Sequence, residues 1–115
     1  SKQIMSTINY PFGQIATASI SADASDDAIT ISAQETYITT ATLTSNATLD
    51  FTVSSEVKAG AKIHIKCTTN GSETFTFGTK IDGPVVTGSA GKTWCQSFVY
   101  NGTNFYPMGA KIQID

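Results

Sequence analysis

The chain has 115 residues, a net charge of −2 and 14% charged side chains, one domain's worth of polypeptide, able to bury a core without disulfides or metals. All seven basic residues are Lys, so there is neither a strong positive field nor an arginine fork for phosphates, and nucleic acid is not expected as a ligand. No apolar run approaches the roughly 18 residues of a membrane helix, and the first residues lack the basic start and apolar stretch of a signal peptide, so neither a membrane span nor a secretory leader is expected.

Residues 1–14 carry the turn-prone aromatic cluster Tyr10-Pro11-Phe12-Gly13 but no alternation that would seat them in a sheet. They read as an N-terminal docking arm, with Tyr10 and Phe12 as contact residues. Residues 15–115 read as a single β domain. Thr, Val, Ile, Phe and Tyr dominate its patterned segments, a balance that favours strands. The expected strands are QIATASIS, AITISAQ, TYITTATLT, ATLDFTVS, AKIHIKCTT, ETFTFGT, GPVVTG, TWCQSFVY and TNFYPM, a rhythm of short strands and turns that predicts an all-β antiparallel β-sandwich or a jelly-roll-like barrel.

Alternation is cleanest in Leu49, Phe51 and Val53 and in Ile63, Ile65 and Cys67. Their neighbours Asp50, Thr52, Lys62, His64 and Lys66 should face water, which makes these two segments the centre of the expected core. Between them SSEVKAGAK predicts one helical turn or a tight crossover at Gly60. Asn70-Gly71 predicts a hairpin, SAGK at 89–92 a turn, and Asn101-Gly102 a hairpin with a type I′ turn, so mostly antiparallel neighbours are expected in the second half.

The chemistry-bearing residues are sparse. Cys67 and Cys95 could form one bridge, but Cys67 lies at the buried parity, and free buried thiols are the preferred reading. Two thiols and one His fall short of a zinc cage, and Cys67 and His64 point to opposite faces of one strand. Asp23, Asp26 and Asp27 lack the spacing of a calcium loop and read as turn formers. His64, the single histidine, reads as a surface residue, and no Ser-His-acid or Cys-His constellation can be nominated from the sequence. No enzyme activity, cofactor or metal is therefore expected. Asn46, Asn70 and Asn101 begin Asn-x-Ser/Thr triplets, but in a chain with 30 Ser and Thr residues chance and turn geometry account for them.

The aromatics near the C-terminus stand apart. Trp94, Phe98 and Tyr100 share one strand face, interrupted by Gln96, and Phe105 or Tyr106 returns opposite them on the next strand. That face is either the core or a binding or subunit surface, where Trp94, Tyr100, Phe105 and Tyr106 would meet a partner.

The segment YNGTNFYPMG resembles the Tyr-Asp-Gly-Thr-Asn-Trp ending of many bacteriophage fibre, spike and head-decoration proteins. The preceding KIDGPVVTGSAGKTWCQSFV resembles their lead-in, and the likeness extends over roughly residues 42–109. This chain departs from the pattern with Asn101 for the Asp, Phe105 for the Trp and an added Pro107, which should end the last strand or confine it to an edge. The resemblance implies a non-enzymatic virion structural protein, assembled in the bacterial host cytoplasm, commonly trimeric, with the major capsid protein or another virion protein as its partner. Within it, an auxiliary protein on the capsid surface is preferred to a tail or head fibre receptor-binding tip, because the chain is short, has no shaft repeat and begins with an arm. The rival is a carbohydrate-binding β-sandwich, in which Trp94, Tyr100 or Tyr106 would stack on a surface glycan.

Overall fold

The computed structural model describes residues 15–115, so the arm with Tyr10 and Phe12 lies outside the described residues. Ten strands follow in order: β1 (Ala16–Ile20), β2 (Ala28–Ile31), β3 (Glu35–Thr40), β4 (Ala47–Val53), β5 (Lys62–Thr68), β6 (Thr74–Phe77), β7 (Val86–Thr87), β8 (Thr93–Tyr100), β9 (Phe105–Pro107) and β10 (Ile112–Gln113). They form two mixed sheets, β1-β3-β5-β8 with β9 and β10 both on β8, and β2-β4-β6-β7.

The all-β expectation holds, but neither the antiparallel arrangement nor the closed barrel does. Odd strands β1, β3 and β5 pair in parallel in the first sheet, and even strands β2, β4 and β6 pair in parallel in the second. The chain thus crosses from one sheet to the other after every strand as far as β6, and each parallel crossover is made by a strand of the facing sheet instead of a helix. Antiparallel pairing begins only with β6-β7 and with β8, which lies against β5, β9 and β10. Asn70-Gly71 consequently joins two sheets and is not a hairpin. Alternation fixes which face a residue takes and leaves strand direction open.

Inward positions stack in rows across the ladders: Ala18, Ile38, Ile65 and Gln96 in one sheet, Ala47 with Phe75 and Leu49 with Phe77 in the other. Leu49, Phe51, Ile63, Ile65 and Cys67 are buried, whereas Val53, the last residue of β4, is only partly covered. Aromatic rings tie the two sheets together edge to face: Phe75 meets Trp94 at 5.4 Å and 87°, Phe51 meets Phe105 at 5.5 Å and 78°, and Phe77 tilts against Phe98 at 4.9 Å. Such pairs add about 0.5–1.5 kcal/mol each beyond the area they bury.

The loops follow their turn residues. In the 54–61 crossover Val57 N–H donates to Ser54 O and Ala61 N–H to Lys58 O, with Gly60 at φ 96° where the chain reverses. Asn101-Gly102 does make a hairpin, closing Tyr100 onto Phe105. It is not of type I′, because Gly102 has positive φ and Asn101 does not. The Asn101 side chain organises a four-residue loop instead, its Oδ1 accepting from the amides of Thr103 (2.8 Å) and Asn104 (2.9 Å). Asn101→Ala frees both donors at once and is expected to cost about 1–2 kcal/mol, by analogy with the loss of a helix cap; an unchanged urea midpoint would show that the Asn101 side chain does not hold the loop.

At 21–27, Ser21 and Ser25 donate to Asp23, and the Ser21 amide and hydroxyl donate to Asp26. The Ser21 hydroxyl foremost holds the Asp23 carboxyl below its usual range, and the Ser21 amide foremost does so for Asp26. Depressed folded-state values stabilise the loop above the carboxylates' unfolded range and lose that contribution as acid protonates them. Exchange of the Ser21 amide hydrogen, corrected for intrinsic rate, should therefore accelerate as the pH falls below about 4. Constant protection down to pH about 2 would contradict it.

Candidate functional site

Residues of the outward parity build the solvent face of the first sheet. Its central row runs Thr17, Tyr37, His64, Ser97 across β1, β3, β5 and β8. One flanking row places Glu35 beside Lys62 and Val99, with Tyr106 beyond; the other places Thr39 beside Lys66, Cys95 and Ile112. Cross-strand neighbours and diagonals on such a face lie within reach of one another.

His64 uses both ring nitrogens here. Its Nδ1 is 2.8 Å from Ser97 Oγ, directly opposite on β8, and its Nε2 is 2.7 Å from Glu35 Oε2, diagonally across on β3. The side chains of His64 and Glu35 remain 33% and 43% exposed, so the line is reachable from solvent. In a neutral imidazole only one ring nitrogen donates, and the tautomer with its proton on Nε2 donates to the Glu35 carboxylate and accepts from the Ser97 hydroxyl at Nδ1. Hydroxyl, imidazole and carboxylate stand in the order of a nucleophile, its base and the group that orients the base. The ring nitrogens are exchanged relative to the serine-protease arrangement, where the serine takes Nε2.

Ser97 also borders a concavity. β9 and β10 are two halves of one edge strand: Pro107 pairs with Phe98 and Ile112 with Cys95, so residues 108–111 face only Gln96 and Ser97. The surplus bulges away from the ladder, as extra residues on an edge strand do. Met108 N–H donates to Ser97 O, and Gln96 Nε2 reaches the Gly109 carbonyl at 2.8 Å, pinning the bulge in place. An open cleft of about 240 Å³ results, lined by Cys95, Gln96, Ser97, Met108, Gly109, Ala110 and Ile112.

The residues nominated from the sequence fall in three places. Tyr10 and Phe12 lie outside the described residues. Trp94, Tyr100 and Phe105 are core side chains, at 2%, 7% and 0% exposure, and Tyr106 is open at 44%. Tyr106 alone of these four presents its ring to solvent. The Ser97-His64-Glu35 line escaped the sequence because it needs the strand order β3-β5-β8, which no local pattern encodes; the one available signal was that His64 has outward parity. His64, expected at the surface, is one-third exposed there and has two hydrogen-bond partners.

Both cysteines are free. Cys67 lies inside, and burial pushes its thiol up to about 11, while Cys95 is half-buried on the cleft wall. A thiolate is the reactive form. A disulfide reagent such as Ellman's should therefore titrate Cys95 alone in the native protein and both thiols in denaturant; two equivalents in the native state would show that Cys67 is accessible.

Among the described residues no group of three His, Cys, Asp or Glu side chains gathers as a metal site, and no helix is long and apolar enough to cross a membrane. Comparison of the chain with protein-family models, curated proteins and solved structures returns no match.

Proposed function

We propose that the chain is a structural module of a bacteriophage particle, an auxiliary protein that decorates the capsid surface, attached through residues 1–14 and requiring no turnover for that role. The observation that supports this reading best is the fate of the aromatic C-terminal segment. Trp94, Phe98, Tyr100 and Phe105, in the stretch that resembles phage decoration proteins, are all buried, so the motif serves as a folding device that closes two sheets. A carbohydrate-binding module would keep such rings as platforms at the surface. Tyr37 and Tyr106 are the aromatic side chains exposed among the described residues, at 38% and 44%, and they sit on rows of the sheet that are not directly opposed. A fibre tip remains the nearest variant of the proposal.

Phage particles produced from the genome that encodes this chain test the reading. Mass spectrometry of gradient-purified particles should find the chain in stoichiometric proportion to the major capsid protein. Full-length protein added to particles lacking it should bind and resist moderate salt, since the arm is weakly charged and its contact apolar. Protein without residues 1–14 should fold but not bind. Absence of the chain from particles overturns the proposal, and equal binding of the truncated protein overturns the arm's part in it. Light scattering of the free protein should read a trimer; a monomer at all concentrations removes that element.

A further inference from the structure

Ser97 belongs both to the hydrogen-bonded line and to the cleft beside it, and this coincidence is independent of any role in a particle. We propose that Ser97 is an acyl-accepting nucleophile, with His64 as its base and the adjoining cleft as the seat of a short acyl group. The substrate class is small esters with a good leaving group.

The geometry supplies a nucleophile-base pair, a group that orients the base and an adjoining cleft. A nucleophile and its base must lie about 2.6–3.2 Å apart, with a third group orienting the base; Ser97 Oγ and His64 Nδ1 are 2.8 Å apart, and Glu35 holds the far nitrogen at 2.7 Å. The cleft, at about 240 Å³, is smaller than the roughly 300–1,000 Å³ of sites for drug-sized ligands. It suits an acyl group of a few carbons, and Met108, Ala110 and Ile112 give it apolar wall. Gly109 and Ala110 edge the same cleft, and their amides donate to no acceptor among the described residues. Backbone N–H donors stabilise a carbonyl oxygen as it gains charge. Lys62 and Lys66 flank His64 on the same face and add positive potential there.

The step balances without a further reactant. His64 Nδ1 takes the Ser97 proton as Oγ bonds to the ester carbonyl carbon. Collapse of the tetrahedral adduct breaks the bond from that carbon to the leaving oxygen, which departs with the proton from His64. The products are acyl-Ser97 and an alcohol; the imidazole returns to its starting state, and nothing is oxidised or reduced. Glu35 acts as a positioning residue throughout.

The test treats the full chain with p-nitrophenyl acetate, follows nitrophenolate release and maps the acetyl group by peptide mass spectrometry. One acetyl per chain on Ser97 is expected, retained in Cys95→Ala and abolished in Ser97→Ala. His64→Ala should slow acetylation by about a hundredfold, within the range for loss of a general base, at an unchanged Tm. Glu35→Ala should slow it and Glu35→Asp restore part of the rate, again at equal Tm, a pattern that a purely structural contact would not produce. Acetylation confined to Lys62, Lys66 or Cys95 overturns the proposal, as does a Ser97 rate that His64→Ala leaves unaltered. Either failure leaves the particle-binding experiment unaffected.

Discussion

Replacing Phe51 by Ala is expected to destabilise the domain by about 3–5 kcal/mol, the range for deleting a large aromatic from a close-packed core. Phe51 is 3% exposed and projects from β4 in the second sheet onto Phe105 of β9 in the first. The substitution therefore removes both the buried area and an edge-to-face contact that bridges the sheets. Trp94, itself in the core, reports the loss, because its fluorescence shifts to the red when it meets water. For a chain of this size the fall in Tm should exceed about 10 °C. A loss below about 0.5 kcal/mol would be far outside the range for buried aromatics and would show that β4 does not face this core.

Gly88→Ala is expected to cost about 2–3 kcal/mol, at the upper end of the usual penalty for overpacking. A Cβ at Gly88 would stand 2.5 Å from Thr69 Cγ2, 2.8 Å from Thr69 Cβ and in collision with its hydroxyl. Thr69 has no room to yield. It is 1% exposed and its Oγ1 lies 2.9 Å from the Gly71 carbonyl and 3.1 Å from the Ser89 carbonyl, while the Gly88 amide is held by Glu73 O. The cost is steric, so a second change that shrinks the obstacle should recover part of it. Denaturant unfolding of Gly88→Ala, Thr69→Ala and the double variant makes the comparison. Strict additivity of the two losses would rule out the collision as their cause.

Strand positions were legible because they depend on neighbours in sequence. The nine expected strand segments contain β1 through β9 apart from Glu35, the first residue of β3, and Leu49, Phe51, Ile63, Ile65 and Cys67 face inward as their alternation requires. Partner choice was not legible. Val, Ile and Thr suit parallel and antiparallel ladders alike, so nothing local told Asn70-Gly71 apart from a hairpin turn. β10 was missed because Ile112-Gln113 is too short for alternation to register and pairs only through β8. The candidate site depended on the same hidden information. Glu35, His64 and Ser97 are distant in sequence and meet only because β5 lies between β3 and β8.

The crossing of the chain between sheets also determines when the protein can fold. Ala16 waits for Thr36, Thr36 for Ile63, and β5 for β8, so nearly every ladder demands closure of a long loop before it returns any free energy. Folding dominated by such non-local pairs is slow. During synthesis β5 has β3 on one side and, until β8 leaves the ribosome, an open edge on the other. Unpaired edges beside hydrophobic side chains are where nascent chains associate wrongly. β8 therefore acts as a seal on the edge left open at β5, and a product truncated before Thr93 would carry that unsealed edge into solution.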